Sequence, residues 1–194
     1  RGDLPKDLNF TAANVLLGSS DPAVRAEAAK YLSLPQTAGN KPLPPISELV
    51  TRQGDAAAGR KLFFDKANCA KCHKGAGEGK EVGPDLSEIG SKLSQQAMYV
   101  SILDPSAGIS HNYETYLIAL DSGTVVTGIL VSDAEDAISI KTAKAVVMKI
   151  DRSEIEEMAK QKTSLMPADI QKVLTADELV DIVAYLRTLK KQGD

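Results

Sequence analysis

All the cysteine of this 194-residue chain, and one of its two histidines, lies in the run NCAKCHKG at residues 68–75. Whatever Cys69, Cys72 and His73 do, they do it together, and the fold has to be built around that turn. Three chemistries suit the spacing. A C-x-x-C pair can serve as a redox dithiol, but that use goes with a βαβ pattern, and none flanks this motif. Structural zinc takes about four ligands; Cys69, Cys72, His73 and His111 would supply them, three crowded into one turn. C-x-x-C-H is also the attachment signature of haem c. There two thiols add to the two vinyl groups on one porphyrin edge, and the adjacent histidine swings beneath the ring to bind iron. Two inert buried cysteines would fit poorly with the Lys, Asn and Gly around them. The haem reading uses all three side chains at once and predicts one covalent haem c with its iron.

Composition agrees with a core completed by something other than amino acid. Hydrophobic residues make up 43% of the chain, yet aromatics only 4%, and tryptophan is absent. A net charge of -3 argues against a general nucleic-acid binder. No run approaches the roughly 18 apolar residues of a membrane span. The chain opens Arg-Gly-Asp without an initiator Met, as expected of a processed protein or a piece of a longer one. The lack of a visible signal peptide therefore decides nothing.

Two helices can be read from local pattern. Near the C-terminus Thr175 and Glu178 form a T-x-x-E capping box. Leu179, Ile182, Val183, Leu186 and Leu189 then make one apolar stripe, and Lys190 and Lys191 suit the negative end of the helix dipole. Before the motif, Asp55 is the N-cap of a helix with Ala58, Gly59, Leu62 and Phe63 on one side. A mid-helix glycine costs about 1 kcal/mol relative to Ala, which makes sense at Gly59 if another helix crosses closely there.

With these pieces in order, residues 54–189 resemble a class I c-type cytochrome: "GDAAAGRKLFF", "CAKCH", "VGPDL", "SLMP" and "LTADELVDIVAYLRTL". The resemblance implies that Gly59 and Phe63 pack against Tyr185 and Leu186. It implies that Pro84 gives its carbonyl to the ring of His73, that Pro84 and Leu86 of the "GP-x-L" stretch lie at the haem, and that Met166 closes the sixth iron position. Reading the residues alone, Met98 falls in a helical run, Met148 in a strand-like alternation and Met158 on a short polar helix. Met166 stands in a non-periodic stretch where Pro167 keeps the preceding residue from helix. His111, at the start of a strand, and an open sixth position remain the alternatives.

The expected fold is mainly α: a class I cytochrome c helical fold carrying an inserted antiparallel β-meander, plus an N-terminal helical hairpin. The insertion, about residues 112–150, reads as about four strands separated by short turns. Residues 1–34 form the hairpin, whose "DP-x-V-R-x-E-A" stretch resembles a HEAT-type repeat remnant, residues 35–53 a proline-rich linker, and residues 54–194 the cytochrome domain. This combination is similar to a planctomycete-type haem-binding domain found at the C-terminus of large multidomain dehydrogenase-like proteins. The matching pieces are "CAKCH", the "Y…L-DSG…G" start of the sheet, "RSEIE", "SLMP" and "DIVAYL".

The function expected from these pieces is one-electron transfer by a six-coordinate haem held by His73 and Met166, in an electron carrier rather than an enzyme. The alternative is a haem sensor or peroxidase-like site with a displaceable sixth ligand. The resemblance implies a redox partner protein or a fused dehydrogenase domain, and a periplasmic or otherwise exported setting. Self-association through the inserted sheet is a further expectation. Residues 60–80 carry six bases against two acids, a collar able to steer an acidic partner.

Overall fold

The computed structural model describes residues 8–191. The polypeptide begins with a hairpin of α1 (Asn9–Leu17) and α2 (Pro22–Ala28). Gly18 ends α1, and the Asp21 side chain caps the amide of Ala23 at the start of α2. The hairpin is tied to α3 (Ile46–Leu49): the Ile46 amide donates to Asn14 Oδ1 at 2.8 Å. Residues 35–53, expected as a linker, instead bury Leu43, Ile46 and Leu49 in the helical core. Their prolines suggested an open connection, but the apolar residues between them have a core to fill.

That core is organised by two crossing helices. α4 (Ala56–Phe64) starts at Asp55, whose carboxylate accepts from the Ala57 and Ala58 amides. α7 (Ala176–Thr188) starts with the reciprocal Thr175–Glu178 box and buries Leu179, Ile182, Val183 and Leu186. They meet at Gly59, where a Cβ would lie 1.9 Å from the Asp181 carbonyl oxygen. Only hydrogen fits between the backbones there. One turn along, the Phe63 and Tyr185 rings pack edge to face with centroids 5.5 Å apart. α5 (Ile89–Lys92) and α6 (Gln95–Leu103) close the bundle, with Met98 and Tyr99 buried in it.

The rest of the fold corrects the expected class. Among the described residues 35% are helical and 20% are in strands, with a five-stranded sheet and a two-stranded ribbon, so the fold is not mainly α with a four-stranded meander. The ribbon is β1 (Lys74–Gly75) and β2 (Glu78–Gly79). The large sheet holds β3 (Thr115–Leu120), β4 (Val125–Asp133), β5 (Ala137–Lys141), β6 (Val147–Asp151) and β7 (Ile155–Lys160), in the order β6-β5-β4-β3-β7. The first four are the expected meander. The fifth holds Met158, which was expected on a short polar helix. Pairing with the free side of β3 overrides helix propensity there: Met158 lies opposite Ile118 and packs on the sheet core.

The sheet has its own core of Ile118, Val126, Ile138, Ile140 and Ile150. Register explains it, since Ile118 pairs with Val126, and Ile138 with Ile150. Its edge strands carry charges that discourage strand addition, Lys149 on β6 and Glu156 and Glu157 on β7.

Two ion pairs join the rest of the helical body to the first turn of α7: Arg52 with Asp177 at 2.8 Å, and Lys66 Nζ with Glu178 Oε1 at 2.6 Å. Burial opposes ionisation of Glu178, but the Lys66 ammonium and the Thr175 amide hold its carboxyl below the ordinary value. A depressed folded value stabilises the fold above the unfolded carboxylate range and loses that contribution as pH falls through the folded value. Glu178→Gln is therefore expected to be less stable than wild type near neutral pH, by no more than about 1 kcal/mol for so exposed a pair. The difference should close as pH drops below about 4.3, the ordinary glutamate value. Urea unfolding across that range checks it; a gap independent of pH would assign the effect to packing.

Candidate functional site

The C-x-x-C-H turn follows directly on α4. Asn68 takes a left-handed conformation, φ 54°, which Asn tolerates better than most residues. It feeds a 3₁₀ turn at Cys69–Lys71. Both cysteines are free thiols and partly buried. Burial pushes the Cys69 thiol up to about 11. It also raises Cys72, against the pull of Lys80 and Lys71. Both thiols are therefore protonated near neutral pH.

His73 is held by the loop that returns over the turn. Its Nδ1 lies 2.8 Å from the Pro84 carbonyl oxygen. A carbonyl can only accept, so this geometry puts the proton on Nδ1 and leaves the Nε2 lone pair available. Burial lowers the imidazole's value more than this bond raises it, favouring the neutral ring that a metal requires. The Val82 and Gly83 amides both donate to the Cys72 carbonyl, at 2.9 and 2.8 Å, and the Leu86 amide donates to Lys74 at 2.8 Å. Gly83 lies flat against the imidazole, where a Cβ would come 2.5 Å from His73 Cε1. Leu86 packs on the helical core.

The other candidate ligands lie on separate elements. Met166 is in a loop outside regular structure, partly buried, its amide bonded to Ser164 Oγ at 3.1 Å. The Ser164 amide in turn donates to Ser106 Oγ at 3.0 Å, tying that loop to the end of α6. Met98 is a core residue, Met148 sits on β6 and Met158 on β7. The His111 side chain is 88% exposed and 3.8 Å from Glu114. Among the described residues no cluster of three His, Cys, Asp or Glu side chains is arranged to hold a metal ion. The basic collar is half neutralised: Arg60 pairs with Glu78, Lys66 with Glu178 and Lys74 with Glu81. Lys61, Lys71 and Lys80 have no ion pair among the described residues.

Residues 56–120 match the family model for cytochrome c. That match supports a c-type cytochrome domain in this part of the chain. No curated protein matches it. The domain's cofactor is covalent haem c with its iron, and Cys69 and Cys72 stand at its C-x-x-C-H site. The donor set fits that group: two unpaired thiols, a neutral imidazole with Nε2 free, and a loop whose glycine leaves the ring its place. The cytochrome c match runs from α4 through β3 and stops short of Met166 and α7. Haem-based electron transfer is the activity this domain supports, and it calls for a redox partner. No helix among the described residues is long and apolar enough to cross a membrane.

Sequence reasoning overlooked Gly83. Four glycines between residues 75 and 83 were the available signal, since such density marks close backbone approach.

Proposed function

We propose that this cytochrome domain is a one-electron carrier with His73 and Met166 as axial ligands. The observation that carries the reading is the bond from His73 Nδ1 to Pro84, which leaves Nε2 free beside two protonated thiols. Haem, when bound, supplies a ferric–ferrous couple. Cys69 and Cys72 would hold it as thioethers, each S–H adding across one vinyl double bond without losing an atom. Pro84 fixes the tautomer and raises the basicity of His73, and Leu86 contributes to the apolar wall. A thioether as the sixth ligand raises the potential relative to a second histidine and leaves no position for substrate. The exposed position of His111 supports Met166 in that role. Lys61, Lys71 and Lys80 form the remaining positive surface near the motif, suited to an acidic donor or acceptor.

The fifty N-terminal residues and the inserted sheet support the wider likeness to the haem-binding domain of large planctomycete-type proteins. In that setting the domain, residues 54–194, takes electrons from a fused dehydrogenase domain or a separate protein outside the cytoplasm. The deciding experiment is the optical spectrum of oxidised and reduced protein, with Met166→Ala beside wild type. A low-spin haem c is expected, with the weak far-red ferric band of methionine ligation lost in the variant. A spectrum unchanged by the substitution would remove Met166 and bring forward the sensor or peroxidase-like reading.

A further inference from the structure

We infer that the inserted sheet is a clamp on the loop behind His73, with Lys141 as the positioning residue that sets the haem's reduction potential. Lys141 ends β5, and its backbone is held on both sides, opposite Ile129 on β4 and Val147 on β6. From that platform its ammonium donates to the Glu81 carbonyl oxygen at 2.7 Å, across 60 residues of sequence. Glu81 is gripped at its other end too, since its carboxylate pairs with Lys74. On either side of it the loop is bonded to the haem-attachment turn, Lys80 to Ala70 at 3.0 Å and Val82 and Gly83 to Cys72. One residue further, Pro84 accepts the His73 Nδ1 proton. The chain of contacts therefore runs from a sheet ladder, through one ammonium, to the atom that orients the imidazole.

The chemistry gives the effect a sign. A firm Nδ1–H bond makes the imidazole a more basic ligand, which favours ferric iron and lowers the potential. Loosening the loop should weaken that bond and raise the potential. Loss of the Lys141 charge alone would act oppositely, because removing a nearby cation also favours ferric iron. The inference rests on His73 as iron ligand.

The test uses the holoprotein with Lys141→Met and Lys141→Arg. Lys141→Met should raise the potential, moving the ferric–ferrous equilibrium by roughly tenfold, about 59 mV for one electron. Hydrogen exchange at the Val82 and Gly83 amides should speed up by at least roughly tenfold as the loop opens locally. Lys141→Arg keeps a donor and a charge and should match wild type in both. A lowered potential in Lys141→Met would assign the effect to charge and overturn the inference, as would an unchanged potential or unchanged exchange. His73→Ala separates this from the parent reading. A low-spin spectrum that survived it would remove the ligation itself, and the inference with it.

Discussion

Gly59→Ala is expected to cost about 3 kcal/mol or more, the largest stability loss of any single-methyl addition to the helical body. The methyl would have to occupy a point 1.9 Å from the Asp181 carbonyl oxygen and 2.4 Å from its carbon. These are backbone atoms in the middle of α7, so no side chain can swing aside, and α4 and α7 must separate. Separation also opens the Phe63–Tyr185 contact one turn away. Two helices define the body in which the haem-attachment turn sits, so the loss should extend to the yield of covalently loaded protein. Denaturant unfolding of the holoprotein measures it, with Ala57→Gly on the exposed side of α4 as the control, expected to lose only about 1 kcal/mol. A variant within about 1 kcal/mol of wild type would mean that the two helices can part at Gly59 at little cost.

The second large effect is spectroscopic. Gly83→Ala puts a methyl 2.5 Å from His73 Cε1 and 3.0 Å from both ring nitrogens. Ordinary contact needs about 3.5 Å, so ring or loop must yield by about 1 Å. A hydrogen bond of 2.8 Å between Nδ1 and Pro84 does not survive such a shift. With His73 as the axial ligand, attachment through Cys69 and Cys72 should persist while much of the iron turns high-spin. The total haem content then stays at wild-type level and the low-spin spectrum falls. A full low-spin spectrum in Gly83→Ala would show that the imidazole is not confined against this loop.

What sequence could reveal followed the range of the interactions. The α7 capping box and its stripe are contacts within one or two turns, and both are found. Asp55 as a cap is equally local. Gly59 was legible through its cost, because a helix keeps a poor residue when a crossing demands it. β7 was not legible: Glu156, Glu157, Met158, Ala159 and Lys160 favour helix in isolation. Only an open edge on β3, some 40 residues earlier, makes them a strand. Leu43, Ile46 and Leu49 were hidden among prolines for the same reason, since their burial depends on α6 and α7. Within the site, the attachment motif was visible as spacing. The Pro84 contact came only by resemblance, and Lys141 left no trace at all, because its partner is a carbonyl that any residue would supply.

The strand order has a further consequence for how such a domain can change. β3 leads into the sheet and β7 leads out, and the two are hydrogen-bonded neighbours, with Tyr116 opposite Lys160 and the Gln161 amide on the Thr115 carbonyl at 2.8 Å. Adjacent strands lie about 4.8 Å apart. The chain between residues 116 and 160 leaves and rejoins the helical body at two backbone points that a single tight turn would bridge, and Lys141 adds a side-chain contact to Glu81. A segment attached through so narrow a doorway can grow, shrink or be exchanged without rethreading the helices around the haem-attachment turn. The sheet is thus a graft site, where new surface can be tried as long as a donor is kept for the Glu81 carbonyl.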